Sequence, residues 1–132
     1  MKDYSTDIAI IGAGVGGVAA ALAALRSGRS VVLTEEYDWI GGQLTSQAVP
    51  SDEHSWIEQF GGSRTYRNLR TAIRRFYRDY YPLTEAARGW DDLNPGAGWV
   101  SRMCVEPRVP LAIMEAWLTP YIGAGKLKLF KP

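Results

Sequence analysis

The sequence predicts an α/β fold built on a parallel sheet, and three observations carry the prediction. Residues Asp7 to Glu36 run from an apolar strand through a glycine-rich turn and a small-residue helix into a second apolar strand, which is a βαβ unit. Gly12, Gly14 and Gly17 in that turn have the spacing G-x-G-x-x-G. An acid, Glu35, stands where the second strand ends. Together they define a Rossmann-like dinucleotide-binding fold with parallel strands at about 7–11, 31–35 and 127–130.

The first strand is the unbroken apolar run Ile8 to Ile11. After it, Gly12 permits a tight turn, Gly14 lets the backbone approach a pyrophosphate, and Gly17 lets helix and strand pack closely. The helix runs from about Val15 to Ser27. Arg26 lies in its last turn, Gly28 can take the left-handed conformation that ends it, and five alanines between Ala19 and Ala24 keep it slim enough to lie close on the sheet. Its unpaired first N–H groups and the positive end of its dipole favour an anion without a basic side chain. Val31 to Thr34 then form the second strand, which places the Glu35 carboxylate to accept both hydroxyls of an adenosine ribose. Glu36 adds a second negative charge and no arginine follows, so this end disfavours a 2′-phosphate. The competing reading is an ordinary glycine turn with a strand-end acid. The joint context of strand, turn, helix and acid favours the nucleotide.

At 132 residues and 46% hydrophobic, the chain can bury one modest core, and its formal net charge of +1 gives no general pull toward nucleic acid or membrane. Ile8 to Leu25 holds no charged residue, but its four glycines and the preceding Asp3 and Asp7 suit neither a membrane span nor a signal core. A cytoplasmic protein with no membrane and no nucleic-acid partner is therefore expected. The single cysteine, Cys104, excludes an internal disulfide and any cysteine-rich metal site. No metal is expected.

Tyr37 to Ser46, YDWIGGQLTS, carries a family resemblance. It is similar to FAD-dependent oxidoreductases with a glutathione-reductase-like FAD domain, in which the acid ending strand two is followed within several residues by a Gly-Gly pair, matched here by Gly41 and Gly42. Downstream, GGQLTSQAVPSDEHSWIE, YRNLR and MCVEPRV resemble a subgroup of bacterial FAD-dependent oxidoreductases. The resemblance spans essentially the whole chain and implies FAD rather than NAD. It implies the diphosphate turn for Gly12, Gly14, Val15, Gly16 and Gly17, and the ribose contact for Glu35. For Gly41, Gly42 and Gln43 it implies a backbone that passes close to the diphosphate and ribityl region. Many relatives place a basic residue directly after the strand-two acid, whereas here Glu36 stands there. The competing reading of Gly41 and Gly42 is a plain loop turn, and it is the less favoured of the two. Members of the family are several times longer, so residues 1–132 are expected to form a single but incomplete FAD-binding domain. Residues 43–107 are expected to be an insertion, part of it covering the flavin.

Gln47 to Ser63 reads as an irregular connection with at most a short helix around Ser55 to Phe60. His54, the only histidine, lies there among Asp52, Glu53 and Glu58. It suits a proton shuttle near a flavin or a solvated loop residue, and the second is preferred. Tyr66 to Tyr81 predicts an amphipathic helix, with Leu69, Ile73, Phe76 and Tyr80 on one stripe and Arg67, Arg70, Arg74 and Arg78 on the other. Six arginines and no acid occur from Arg64 to Arg78. A solvated basic face is preferred over a nucleic-acid footprint, and a third reading turns one or two arginines toward an anionic ligand. From Thr84 to Pro107 the pattern breaks up, with a short extended piece at Arg102 to Pro107 and Cys104 read as a buried structural cysteine. Pro110 to about Ile122 predicts a helix with Leu111, Met114, Leu118 and Ile122 as its stripe, and Lys126 to Phe130 a third strand. Right-handed crossovers then give the strand order three, two, one.

The reading is the FAD-binding portion of an oxidoreductase acting in hydride or electron transfer through the flavin, with its substrate and catalytic acid or base unassigned. Two other classes fit the residues: an NAD-binding enzyme or regulatory domain, and a non-catalytic nucleic-acid or protein binding module working through the arginine-rich stretch 64–81. In the three, two, one order the first strand lies at an edge, where an apolar unblunted strand invites self-association. The isolated chain is accordingly expected to be inactive.

Overall fold

The computed structural model describes residues 3–132. Three parallel strands, β1 (Ile8–Ile11), β2 (Val31–Thr34) and β3 (Leu127–Phe130), form one sheet in the order β1-β2-β3. Helix α1 (Val15–Arg26) joins β1 to β2. Between β2 and β3 lie α2 (Arg64–Tyr80), the single turn α3 (Glu85–Arg88) and α4 (Arg108–Gly123). The strand order is the one the sequence predicts.

Register sorts the strand side chains by face. Ile8, Val31 and Leu127 form one row and Ile10, Leu33 and Leu129 the next. Val31, Leu33 and Leu127 are fully buried in a core shared with Val18, Leu22 and Leu25 of α1 and Met114 and Leu118 of α4. The opposite face is left largely to solvent: Ile11 is 82% exposed, and Phe130 is exposed beside the ring of Tyr4, 5.1 Å away. Parallel sheets are generally covered on both faces. In sequence β1 reads as such a strand, yet among the described residues it has an uncovered face and an unpaired edge.

The helices match their expected places, with differences that have local causes. α1 ends at Arg26, where Ser27 caps it and Gly28 turns left-handed at φ +82°. α4 starts two residues before Pro110, so that proline sits in the first turn, where its missing N–H breaks no bond. Leu111, Met114 and Leu118 are buried as expected, but Ile122 is exposed. Ser55 to Phe60 forms turns rather than a helix. Arg102 to Pro107 is irregular rather than a strand. There Asn94 Oδ1 accepts the Cys104 N–H at 2.6 Å and the Cys104 carbonyl accepts the Gly96 N–H at 2.8 Å, which is a local tie and not a ladder. The turn α3 falls where the sequence pattern is broken, nucleated by Thr84, whose hydroxyl accepts the Ala87 N–H at 3.2 Å.

The main correction concerns α2. It starts at Arg64, with the Ser63 hydroxyl accepting the Tyr66 N–H at 3.2 Å. Leu69, Ile73 and Tyr77 are buried, and so are Arg70, 3% exposed, and Arg74, 7% exposed, whereas Tyr80 faces solvent. Two of the stripe's four arginines, Arg70 and Arg74, are thus buried and not solvated. Five of the six arginines from Arg64 to Arg78 bind within the chain. Arg67 donates to the carbonyls of Gln59 and Gly62, Arg75 pairs with Asp79, and Arg78 donates to the carbonyls of Arg88 and Trp90. Arg70 and Arg74 bind acids described below. No helix among the described residues is long and apolar enough to cross a membrane.

Candidate functional site

The site is built where β1 hands over to α1. Gly12 takes φ +89°, a conformation strained for any side chain, and its N–H donates to the Thr34 carbonyl at 3.1 Å, which ties the turn to the end of β2. Gly14 is the N-cap of α1, and the first helical bond runs from the Val18 N–H to the Gly14 carbonyl at 2.9 Å. The N–H groups of Val15, Gly16 and Gly17 therefore have no acceptor within the helix. No side chain caps this end and no acid lies in the first turn. A Cβ on Gly17 would overlap the Gly12 carbonyl oxygen, whereas one on Gly14 would meet nothing within 4 Å. The two glycines therefore do different jobs: Gly17 is required by the fold, and Gly14 leaves free space above the turn.

Glu35 joins this turn from the end of β2. One carboxylate oxygen accepts the Ala13 N–H at 2.9 Å, and the other accepts the N–H groups of Glu36 and Tyr37 at 2.9 and 3.2 Å. The carboxylate is thereby held at the mouth of the glycine turn. An ionised carboxylate has about four acceptor positions, so one remains on the oxygen that faces Ala13.

The Gly-Gly pair closes on the same turn. Gly41, at φ +103°, donates its N–H to the Ala13 carbonyl at 2.7 Å and forms an isolated parallel bridge with Gly14. Gly42, at φ +51°, comes so near that its Cβ would lie 3.3 Å from the Gly14 Cα. Beneath them Thr45 is buried and donates its hydroxyl to the Ile40 carbonyl at 2.5 Å, with its N–H on the Gly42 carbonyl at 3.0 Å. Met114 of α4 fills the space a side chain on Gly41 would need. The side-chain amide of Gln43 donates to the Pro50 carbonyl at 3.1 Å and so braces the following loop. Gly12, Gly14, Val15, Gly16, Gly17, Glu35, Gly41 and Gly42 thus meet around one turn, with Gln43 directly behind. Ala13 and Thr45 were missed by the sequence reading. A serine or threonine shortly after a Gly-Gly pair, able to bond back to the turn, is the signal that points to Thr45.

A second arrangement holds the connection that follows. Arg70 bonds the carboxylates of both Glu53 and Glu58, and Arg74 grips Glu58 at 2.6 and 2.8 Å and the Leu93 carbonyl at 3.0 Å. Tyr66 donates its hydroxyl to Glu53. Burial alone raises the Glu58 carboxyl, but the Arg74 hydrogen bond and the charges of Arg70 and Arg74 outweigh it and hold it below its usual value. Burial and the bond to Glu53 push the Tyr66 hydroxyl up to about 12. Two carboxylates and two guanidinium groups balance, so the cluster pins the loop to α2 without net charge.

His54 stands in this loop with its Nδ1 accepting the Trp56 N–H at 3.2 Å, exposed to solvent. Cys104 is buried against Gly96 and Gly98, as expected of a structural cysteine.

A glycine turn feeding an uncapped helix, with an acid at the end of the next parallel strand, defines a dinucleotide-binding fold. The family model for FAD dependent oxidoreductases matches residues 7–129, and the chain belongs to that family. Its cofactor is accordingly FAD, which supplies the redox chemistry when bound.

Proposed function

We propose that the residues gathered at the β1–α1 turn hold the ADP half of FAD. In this reading the diphosphate rests on the N–H groups of Val15, Gly16 and Gly17, above Gly14, and the free acceptor position of Glu35 takes a ribose hydroxyl. Gly41, Gly42 and Gln43 form the wall along which the cofactor runs toward its ribityl chain. The observation that carries this is the bare start of α1: three helical N–H groups without an intrahelical acceptor, no side-chain cap, and open space where a Gly14 side chain would stand. Glu35→Ala is expected to weaken FAD binding by about 1.5–3 kcal/mol, roughly tenfold to a hundredfold, as for a charged hydrogen bond. Fluorescence titration of FAD against wild type, Glu35→Ala and Glu35→Gln tests this, with partial recovery in the glutamine variant. Equal affinities in all three would remove Glu35 from the ribose.

The chain by itself is proposed to be an incomplete redox unit. The support is the sheet: among the described residues β1 has an unpaired edge and Ile11 lies bare on an uncovered face. A further strand beside β1 and a layer over that face would complete a two-sided parallel sheet. Without them the edge is open to pairing with another copy. Size-exclusion chromatography of the 132-residue chain is expected to show self-association, reduced by Ile11→Lys, and weak FAD binding without turnover. A wild-type monomer that holds FAD at submicromolar affinity contradicts this reading.

A further inference from the structure

Gly41 can meet the glycine turn only while the peptide between Ile40 and Gly41 keeps one orientation. A trans peptide points its carbonyl and its N–H in opposite directions, and no peptide bond among the described residues is cis. The Gly41 N–H reaches the Ala13 carbonyl at 2.7 Å, so the Ile40 carbonyl is turned the other way, into the interior. Ile40 has no exposed surface, and its carbonyl must therefore find a donor within the protein. That donor is the Thr45 hydroxyl, at 2.5 Å, on a residue only 1% exposed. No other donor among the described residues bonds the Ile40 carbonyl.

The bonds continue into the turn. Ala13, whose carbonyl takes the Gly41 N–H, has its own N–H on the Glu35 carboxylate at 2.9 Å. With the Ala13 carbonyl fixed, the Gly14 N–H in the same peptide is turned away from the Gly-Gly loop. A line of bonds thus crosses beneath the site: Thr45 hydroxyl to Ile40 carbonyl, Gly41 N–H to Ala13 carbonyl, Ala13 N–H to Glu35.

Thr45 is anchored independently of that line. Its N–H donates to the Gly42 carbonyl at 3.0 Å, which also accepts the Gln47 N–H at 3.1 Å. Its methyl and hydroxyl fill the space under Gly41, where a Cβ would lie 2.7 and 2.9 Å from them. Gly41, by contrast, has no side chain to resist rotation at φ +103°. If the hydroxyl is lost, the Ile40 carbonyl is buried without a partner, which costs more than the bond itself was worth. The relief open to it is to turn the Ile40–Gly41 peptide toward another donor, and that takes the Gly41 N–H off Ala13.

We infer that Thr45 is a positioning residue for the cofactor: its buried hydroxyl locks the Ile40–Gly41 peptide, and through it the Ala13–Gly14 peptide, in the orientation the diphosphate site requires. The inference rests on the reading of the β1–α1 turn as the seat of the ADP half of FAD.

The test is FAD titration of the full chain in wild type, Gly14→Ala, Thr45→Val and Thr45→Ser, with amide hydrogen exchange of the ligand-free chains followed by NMR. Thr45→Val keeps the shape and removes the donor. Thr45→Ser keeps the donor. Thr45→Val is expected to weaken FAD binding roughly tenfold, the scale of one hydrogen bond. It is also expected to speed exchange of the Gly41 amide relative to the amides of β2. Thr45→Ser is expected to recover most of both. A merely structural threonine would speed exchange throughout and leave the FAD affinity of the folded chain unchanged. Should Thr45→Val not fold, Thr45→Ala against Thr45→Ser makes the same comparison. The inference is overturned if Thr45→Val binds FAD as wild type does while Gly14→Ala has lost it, or if the valine and serine variants are weakened equally. Gly14→Ala binding FAD as wild type does would instead overturn the reading of the turn, and the inference with it.

Discussion

Gly14→Ala is expected to weaken FAD binding by roughly a hundredfold or more and to leave the fold intact. The backbone at Gly14, φ −59° and ψ 179°, is open to any L-residue, and a methyl group there meets no protein atom within 4 Å. Folding therefore has no reason to object. A diphosphate held on the first turn of α1, as proposed above, would object, because the methyl would stand in the space above the turn and push it away from the Val15, Gly16 and Gly17 N–H groups. Losing charged hydrogen bonds of about 1.5–3 kcal/mol each weakens binding by roughly a hundredfold or more. Gly17→Ala is the opposite case. Its Cβ falls on the Gly12 carbonyl oxygen, a backbone atom that cannot swing aside, so helix and strand must separate. Overpacking of this kind costs about 1–3 kcal/mol or more in stability. Urea unfolding and FAD titration of both variants separate the two roles. If Gly14→Ala retains stoichiometric FAD, or loses stability as Gly17→Ala does, the diphosphate is not over Gly14.

What the sequence made legible is what local rules govern. The G-x-G-x-x-G spacing, the alanine helix ending at Arg26, and the acid after Val31 to Thr34 each encode their own geometry within a few residues, and the structure places them accordingly. β3 was readable because Leu127 and Leu129 alternate with Lys128, and their burial follows that alternation. The failures share a cause, which is partners distant along the chain. Arg70 and Arg74 look like a wet stripe until Glu53 and Glu58, 12 to 17 residues upstream, fold over them. No helical periodicity contains that information. The exposure of Ile11 is the reverse case: an apolar run predicts burial, but burial depends on what else is present to cover the strand.

Arg70→Ala is expected to be the most destabilising single change outside the glycine turn. Taking four charges out of water is unfavourable, and their mutual attraction offsets that only while all partners are present. Removing Arg70 leaves Glu53 with Tyr66 alone and Glu58 with Arg74 alone, inside a site where both acids are largely buried. Breaking a buried pair in this way costs about 3–5 kcal/mol, a large share of the roughly 5–15 kcal/mol by which domains are stable. The same cluster predicts the acid limb of stability. Glu58 is held below its ordinary value of 4.5 in the folded chain, so the folded state releases that proton more readily than the unfolded state does. Its contribution is fully present above about pH 4.5 and is lost as the pH falls through the lower folded value. Because the pair is sheltered, added salt should change little. Urea midpoints measured from pH 7 to pH 3 should fall steeply on the acid side in wild type. In Glu58→Gln, which starts lower at pH 7, the fall should be shallower. A Glu58→Gln curve parallel to wild type throughout, or an Arg70→Ala midpoint equal to wild type at pH 7, would show that α2 and the loop are held together by packing and not by these charges.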